Sequence, residues 1–232
     1  MPASPPVNPA QTALLAAHEL ELPTKRRLVL VAERLFAEHG IDAVSLRAVN
    51  AAAGTNVASV HYHFGTKESL VEALIAERSE DVSSRRTTLL DALESGAAEC
   101  NPHNLAAAFV QPVAAMIRSG AASWVKFIAG ILATGHPSLS RVSDGFAPQA
   151  QRFNTLLAQA NPGTPAETLH FRLTQAMGLT FRVLGDIPGT QRLLALSGDA
   201  LDDEDVIEQL VDTVTAILAG PPGQPKNAAA SS

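Results

Sequence analysis

The chain has 232 residues, 46% of them hydrophobic and 17% charged, and a net charge of −6. That length is ample for a buried core in one or two domains, and no apolar run approaches the ~18 residues of a membrane span. The single cysteine, Cys100, excludes an intramolecular disulfide and a multi-cysteine metal site, and the net charge argues against a uniformly basic nucleic-acid binder.

Residues 1–22 carry four prolines in the first nine and are expected to form a flexible tail, with a short helix around Leu14–Leu20. They lack the basic start and long apolar stretch of a signal peptide, so a cytoplasmic location is expected. Thr24 is placed to cap a helix in which Leu28, Val31, Ala32, Leu35 and Phe36 recur at helical spacing, and Gly40 ends it. Ser45 is placed to cap a short second helix with Leu46, Val49 and Ala53 facing inward. Gly54 breaks that helix, and Asn56 is expected to cap a third running to about Phe64. Gly65 stops the third, and Thr66 caps a long helix starting at Lys67.

Beyond Ser95, helices are expected near 104–119 (bent at Pro112), 121–135, 140–160, 165–186 and 203–219. Asn101-Pro102, His136-Pro137, Asn161-Pro162 and Ile187-Pro188 mark breaks between them. No segment sustains the alternation of a strand, so the fold class is all-α. The order predicts a helix-turn-helix head over 23–70 and a larger helical body over 71–219. The end, 220–232, has the composition of a disordered tail. Charge follows the same division. Six basic residues between Thr24 and Lys67 (Lys25, Arg26, Arg27, Arg34, Arg47, Lys67) outnumber three acidic ones (Glu33, Glu38, Asp42), which gives this stretch +3 and leaves −9 for the remainder. A basic head on an acidic body implies two tasks on one chain.

The chain's one tyrosine stands in AAAGTNVASVHYHFGTKESL, residues 51–70, between His61 and His63. Imidazoles at i and i+2 share a side on a strand, but on a helix they lie ~200° apart and cannot hold one metal. No further ligands and no nucleophile lie nearby, so no metal, cofactor or catalytic site is expected. At 100° per residue, Val57, Val60 and Phe64 form a buried stripe. Ala58, Ser59, Tyr62 and His63 face outward, with His61 on the flank. Small residues allow close approach, and the polar tips suit phosphates and base edges. A Gly54 turn joining this helix to the one before it is the helix-turn-helix arrangement that enters a major groove.

Residues 24–75, through AERLFAEHGIDAVSLRAV and AAAGTNVASVHYHFGTKESLVEAL, resemble the DNA-binding domain of the TetR family of bacterial transcriptional regulators. The resemblance implies that Ser45 lies near a phosphate and that Arg47 reaches a base or phosphate. It places Val57, Ala58, Ser59 and His61 toward bases, and Tyr62, His63 and Lys67 on the backbone. Two positions depart from the family pattern. Ala58 is often basic or polar there, so one phosphate contact is expected to be missing, and Asn50 fills a usually small position for no reason visible in the sequence.

By the same resemblance the body binds a small molecule and forms a homodimer through the helices near 165–186 and 203–219. Trp124, Phe127, Phe146, Phe153, Met116 and Met177 are candidate pocket walls, and His103, His136, His170, Arg118 and Arg172 candidate polar anchors. The stretch WVKFIAGILATGHPSLSR, with the recognition helix, resembles regulators of lipid catabolism within the family, which implies an apolar or amphipathic, lipid-like effector. The expected function is thus a repressor released from palindromic double-stranded DNA by such a molecule, with no membrane partner. An architectural DNA-bending protein without an effector and an all-helical enzyme stay open as other readings. Sequence-independent DNA binding would favour the first, and detectable turnover the second.

Overall fold

Pro23, with φ −52° and ψ 141°, opens the first helix of the computed structural model, which describes residues 19–221. Among the described residues the chain forms ten α-helices and no strand. The head consists of α1 (Thr24–His39), α2 (Leu46–Ala52) and α3 (Ser59–Phe64), packed on the start of α4 (Lys67–Glu94). The body adds α5 (Pro102–Arg118), α6 (Ala122–Thr134), α7 (Leu139–Ala160), α8 (Ala166–Leu184), α9 (Ile187–Ala195) and α10 (Asp203–Ala219). Most of the segments expected at the two ends, including residues 14–18 of the short N-terminal helix, lie outside the described residues. None of the described helices is long and apolar enough to cross a membrane.

Helix starts follow side-chain chemistry with two corrections. The hydroxyls of Ser45 and Thr66 accept the amide N–H of Ala48 and Ser69 at 3.1 Å each, so both cap as expected. Thr24 does not cap: it is already helical, and Pro23 occupies the cap position without a side-chain bond. Asn56 accepts from the Ala58 N–H at 3.0 Å, two residues on, so it builds a turn, and α3 begins only at Ser59. The Ile187-Pro188 pair does not end structure. Asp186 caps a further helix, α9, accepting from Gly189 N–H at 3.0 Å, and Pro188 sits in its first turn, where no amide donor is needed. Pro112 and Pro148 lie inside α5 and α7, and both helices continue through them.

The head is built into the body. Helix α4 is continuous across residues 70 and 71 and serves as a wall of both. Helix α1 packs along α6, where the rings of Phe36 and Phe127 stack with centroids 6.1 Å apart. The Trp124 indole N–H donates to the Leu74 carbonyl at 3.0 Å, tying α6 to α4. Helices α8 and α10 close the far side, with α10 lying on both α5 and α8.

A buried ion pair fastens α1 to α4: Arg78 Nε lies 3.3 Å from Glu33 Oε2, and Glu33 is 5% exposed. Burial raises the Glu33 pKa above the ordinary carboxylate value, while Arg78 beside it pulls the other way. Because the folded state holds this proton more tightly than the unfolded chain, Glu33 itself favours folding at low pH and loses that contribution as pH rises through its folded pKa. Removing the cation should therefore hurt most when the carboxyl is ionised. Arg78→Ala is expected to cost on the order of 3 kcal/mol at pH 7, and less at pH 5. Glu33→Gln, which leaves no buried charge on α1, should cost less than Arg78→Ala at pH 7. Urea unfolding of the two variants at both pH values checks the order.

Candidate nucleic-acid interface and ligand cleft

The turn between α2 and α3 is organised by Asn50, which is 1% exposed. Its amide NH2 donates to the carbonyls of Leu46 at 3.0 Å and Val57 at 2.9 Å. Its Oδ1 accepts from the Thr55 hydroxyl at 3.0 Å and from the Val60 N–H at 3.2 Å. All four hydrogen-bonding positions of one side chain are thus used to hold helix, turn and helix together. Gly54 supplies the reversal with φ +61°, a conformation unfavourable for a β-branched residue. This explains the residue that departs from the pattern at position 50: its volume is spent on the turn itself.

Only Val60 of α3 is buried; Phe64 is half-buried, and Val57 is 63% exposed. The inward stripe expected over Val57, Val60 and Phe64 is corrected at its first member. Val57 precedes the helix, so the 100° step does not apply to it, and the turn directs it outward. Val57, Ala58, His61 and Tyr62 stand exposed together, with Ser59 and His63 half-buried beside them, and Tyr62 is 85% exposed. The Tyr62 ring meets His63 edge-on at 5.0 Å. His61 Nδ1 lies 2.8 Å from the Gly65 carbonyl. A carbonyl only accepts, so Nδ1 carries the proton and the neutral ring leaves Nε2 as an acceptor. Ser45 and Arg47 are exposed at the start of α2. Lys67, at the first turn of α4, has its ammonium 3.5 Å from the Asp42 carbonyl and 5.9 Å from the centre of the Phe36 ring.

These features find their counterpart in known proteins. Residues 28–74 match the family model of bacterial regulatory proteins, tetR family, and residues 107–217 match that of the tetracyclin repressor-like C-terminal domain. The chain belongs to the TetR family. The HTH-type transcriptional regulator UidR of Escherichia coli (strain K12) is 29% identical over 63 residues, 27% of this chain and 32% of UidR, so the alignment spans about a third of that relative. Two solved structures share the fold over nearly the whole length. The ketosteroid transcriptional regulator KstR2 of Mycobacterium tuberculosis, 18% identical, aligns over 90% of this chain and 97% of its own with a TM-score of 0.56. AmtR of Mycobacterium smegmatis, also 18% identical, aligns over 87% and 89% with a TM-score of 0.56. At these identities the likeness concerns the fold.

In this TetR-family head, Lys67 combines a flexible ammonium with the positive end of α4, the arrangement that favours a phosphate. Lys67→Ala is expected to weaken binding to all DNA sequences alike and to lower the slope of log K against log salt by about one. Titrations of an operator library at several salt concentrations measure both quantities, and a loss confined to some sequences would contradict a backbone role.

A cleft opens in the body between α4, α7 and α8, floored by α5 and α6, with about 500 Å³ of space including its open mouth. Trp124, Phe146 and Met177 line it. Phe127 and Phe153 are buried elsewhere: Phe127 faces Phe36 of the head, and Phe153 packs on Phe109 at 5.2 Å. Arg172 does not reach the cleft either; its Nη1 donates to the carbonyls of Leu218 at 3.3 Å and Ala219 at 3.1 Å, closing the end of α10. Met116 is buried outside the cleft. Arg118 is paired with Glu204, which holds its guanidinium pKa above the ordinary value. His136 lies 3.6 Å from Asp42 of the head, His103 is exposed, and His170 borders a separate shallow groove near Asn154.

Sequence reasoning missed Phe109, Phe181, Gln149 and Arg86, all in the cleft wall. For Arg86 a signal existed. Val82, Arg86, Leu90 and Leu93 occupy one buried face of α4, so an arginine interrupts an apolar stripe.

Proposed function

We propose that the chain is a ligand-responsive repressor. A homodimer places two α3 helices in successive major grooves of a palindromic operator, ~34 Å apart, and a small apolar or amphipathic molecule in the α4–α7–α8 cleft releases it. The observation that carries this reading is the outward surface of α3, where Val57, Ala58, His61 and Tyr62 stand in solvent on a helix fixed from behind by Asn50. In this reading Val57, Ala58, Ser59 and His61 approach bases, while Ser45, Arg47, Tyr62, His63 and Lys67 face the backbone or its neighbourhood.

Coupling has a short route. Trp124 and Phe127 stand on the same helix, α6; the first lines the cleft and the second packs on Phe36 of α1. A ligand that shifts α6 moves a helix in contact with the head, and any ligand that lowers DNA affinity is itself bound less tightly on DNA, by the same factor. Selection of binding sites from random DNA with the purified full chain tests the reading. The expected product is a palindrome with half-sites about one helical turn apart. Recovery of no common sequence would reject it in favour of sequence-independent binding.

A further inference from the structure

The cleft contains a cation without an anion. Arg86 is 5% exposed, and two of its N–H groups are used: Nη1 donates to Gln149 Oε1 at 3.0 Å and Nη2 to the Phe109 carbonyl at 3.3 Å. Its Nε–H is buried without a partner. The rings of Phe109 and Phe146 lie 5.1 and 5.3 Å from the guanidinium carbon. Among the described residues no carboxylate pairs with it, in contrast to Arg78, Arg118, Arg141 and Arg152, each of which meets a glutamate. Burial lowers its pKa to about 10, which leaves it protonated at neutral pH.

An arginine charge removed from water is costly unless an anion and further hydrogen bonds compensate it. Two neutral acceptors and two ring faces compensate only in part. The surroundings hold the group in place instead of quenching it. Gln149 is 5% exposed, and its NH2 is fixed by the Ser83 carbonyl at 3.0 Å and the Ser83 hydroxyl at 2.5 Å, so its oxygen is turned to Arg86. Room for molecules the size of water amounts to about 60 Å³, several times the roughly 10–15 Å³ that one water requires. Toward the mouth, Trp124, Phe146, Met177 and Phe181 supply apolar walls.

We propose that this cleft takes an amphipathic carboxylate, its head on the Arg86 guanidinium and its apolar part along Trp124, Phe146, Met177 and Phe181. The proposal rests on the ligand-responsive reading above and narrows the effector to one chemical class. A carboxylate matches the planar fork of arginine and provides the charge that the fold omits. The same tail with a neutral head leaves the cation unpaired.

Trp124 is the chain's only tryptophan and lines the cleft, so its fluorescence reports occupancy without DNA. The full chain is titrated with straight-chain carboxylates from hexanoate to dodecanoate and with 3-phenylpropanoate, each against its primary amide. At least one acid is expected to bind about tenfold or more tightly than its amide, and Arg86→Met should level that preference. Arg86→Lys, which keeps the charge, should retain a preference for the acid, and decides the matter if the Met variant does not fold by circular dichroism. Equal binding of acids and amides, or no response to any acid, overturns the proposal. A second arm adds the selected operator DNA. Acids that bind with the expected preference but leave DNA bound would overturn the regulatory reading alone, whereas release by amides and not by acids would overturn the carboxylate and keep the regulation.

Discussion

Asn50→Leu is expected to lower operator affinity by about a hundredfold or more while leaving the body helical and its oligomeric state unchanged. The leucine is similar in size but offers no hydrogen bonds. The Val57 carbonyl, the Val60 N–H and the Thr55 hydroxyl would each lose a partner in or beside a buried position. A buried polar group left unsatisfied costs ~1–3 kcal/mol, and every 1.4 kcal/mol is tenfold in an equilibrium constant. The loss falls on the turn that fixes α3, so α3 should detach from its register before the core of α1 and α4 is affected. Asn50→Asp separates hydrogen bonding from volume, since the carboxylate keeps the two accepting roles and loses both donations, to Leu46 and Val57. Operator titration, far-UV circular dichroism and sedimentation of both variants give the comparison. If Asn50→Leu bound operator within threefold of the parent, Asn50 would not be what positions the recognition helix.

The way Asn50 was hidden in the sequence indicates what can be read there. Ser45 and Thr66 act over three residues, so their capping was legible from local chemistry alone. Asn50 reaches Val57 and Val60, seven and ten residues away, and nothing local predicts that. Val57 was placed on the wrong side because a helical wheel was drawn through two residues of turn. Proline misled once: Pro188 starts α9, the role its fixed φ suits, although an Ile-Pro pair equally suits a break. The boundary drawn after residue 70 cannot be seen in the fold as a break, because α4 runs through it.

The cleft was legible in composition but not in geometry. Apolar residues on an all-helical body are numerous, and only the packing distinguishes those that face a cavity from those that face another helix. Trp124 and Phe127 are three residues apart on α6, yet one lines the cleft and the other stacks on the head. That division gives α6 its place in the proposed coupling, because one helix is in contact with ligand space and with the DNA-binding unit at once.

Phe171→Glu is expected to convert the chain to a monomer at micromolar concentration and to reduce operator binding by more than a hundredfold. Phe171 is 65% exposed on α8, and Thr174, Gln175, Gly178 and Arg182 continue the outward face after it. On α10 the outward face carries Gln209, Asp212, Thr213 and Ala216. An exposed phenylalanine beside small residues is the anchor expected of a surface that meets its own copy about a two-fold axis. Burying a phenylalanine side chain contributes ~1.5–3 kcal/mol, and two-fold symmetry counts each substitution twice, so the dimer should weaken by about 3–6 kcal/mol before the repulsion of the new charges is added. The monomer itself should be unaffected, because the α8 core is made by Leu169, Leu173, Ala176, Phe181 and Leu184 on the opposite side. A protein that is helical, monomeric by sedimentation velocity, still able to bind in the cleft and weak on a full palindrome would match the expectation. A variant that remained dimeric would move the interface elsewhere on the surface, with the exposed Leu193 and Leu196 of the α9 region the next residues to substitute.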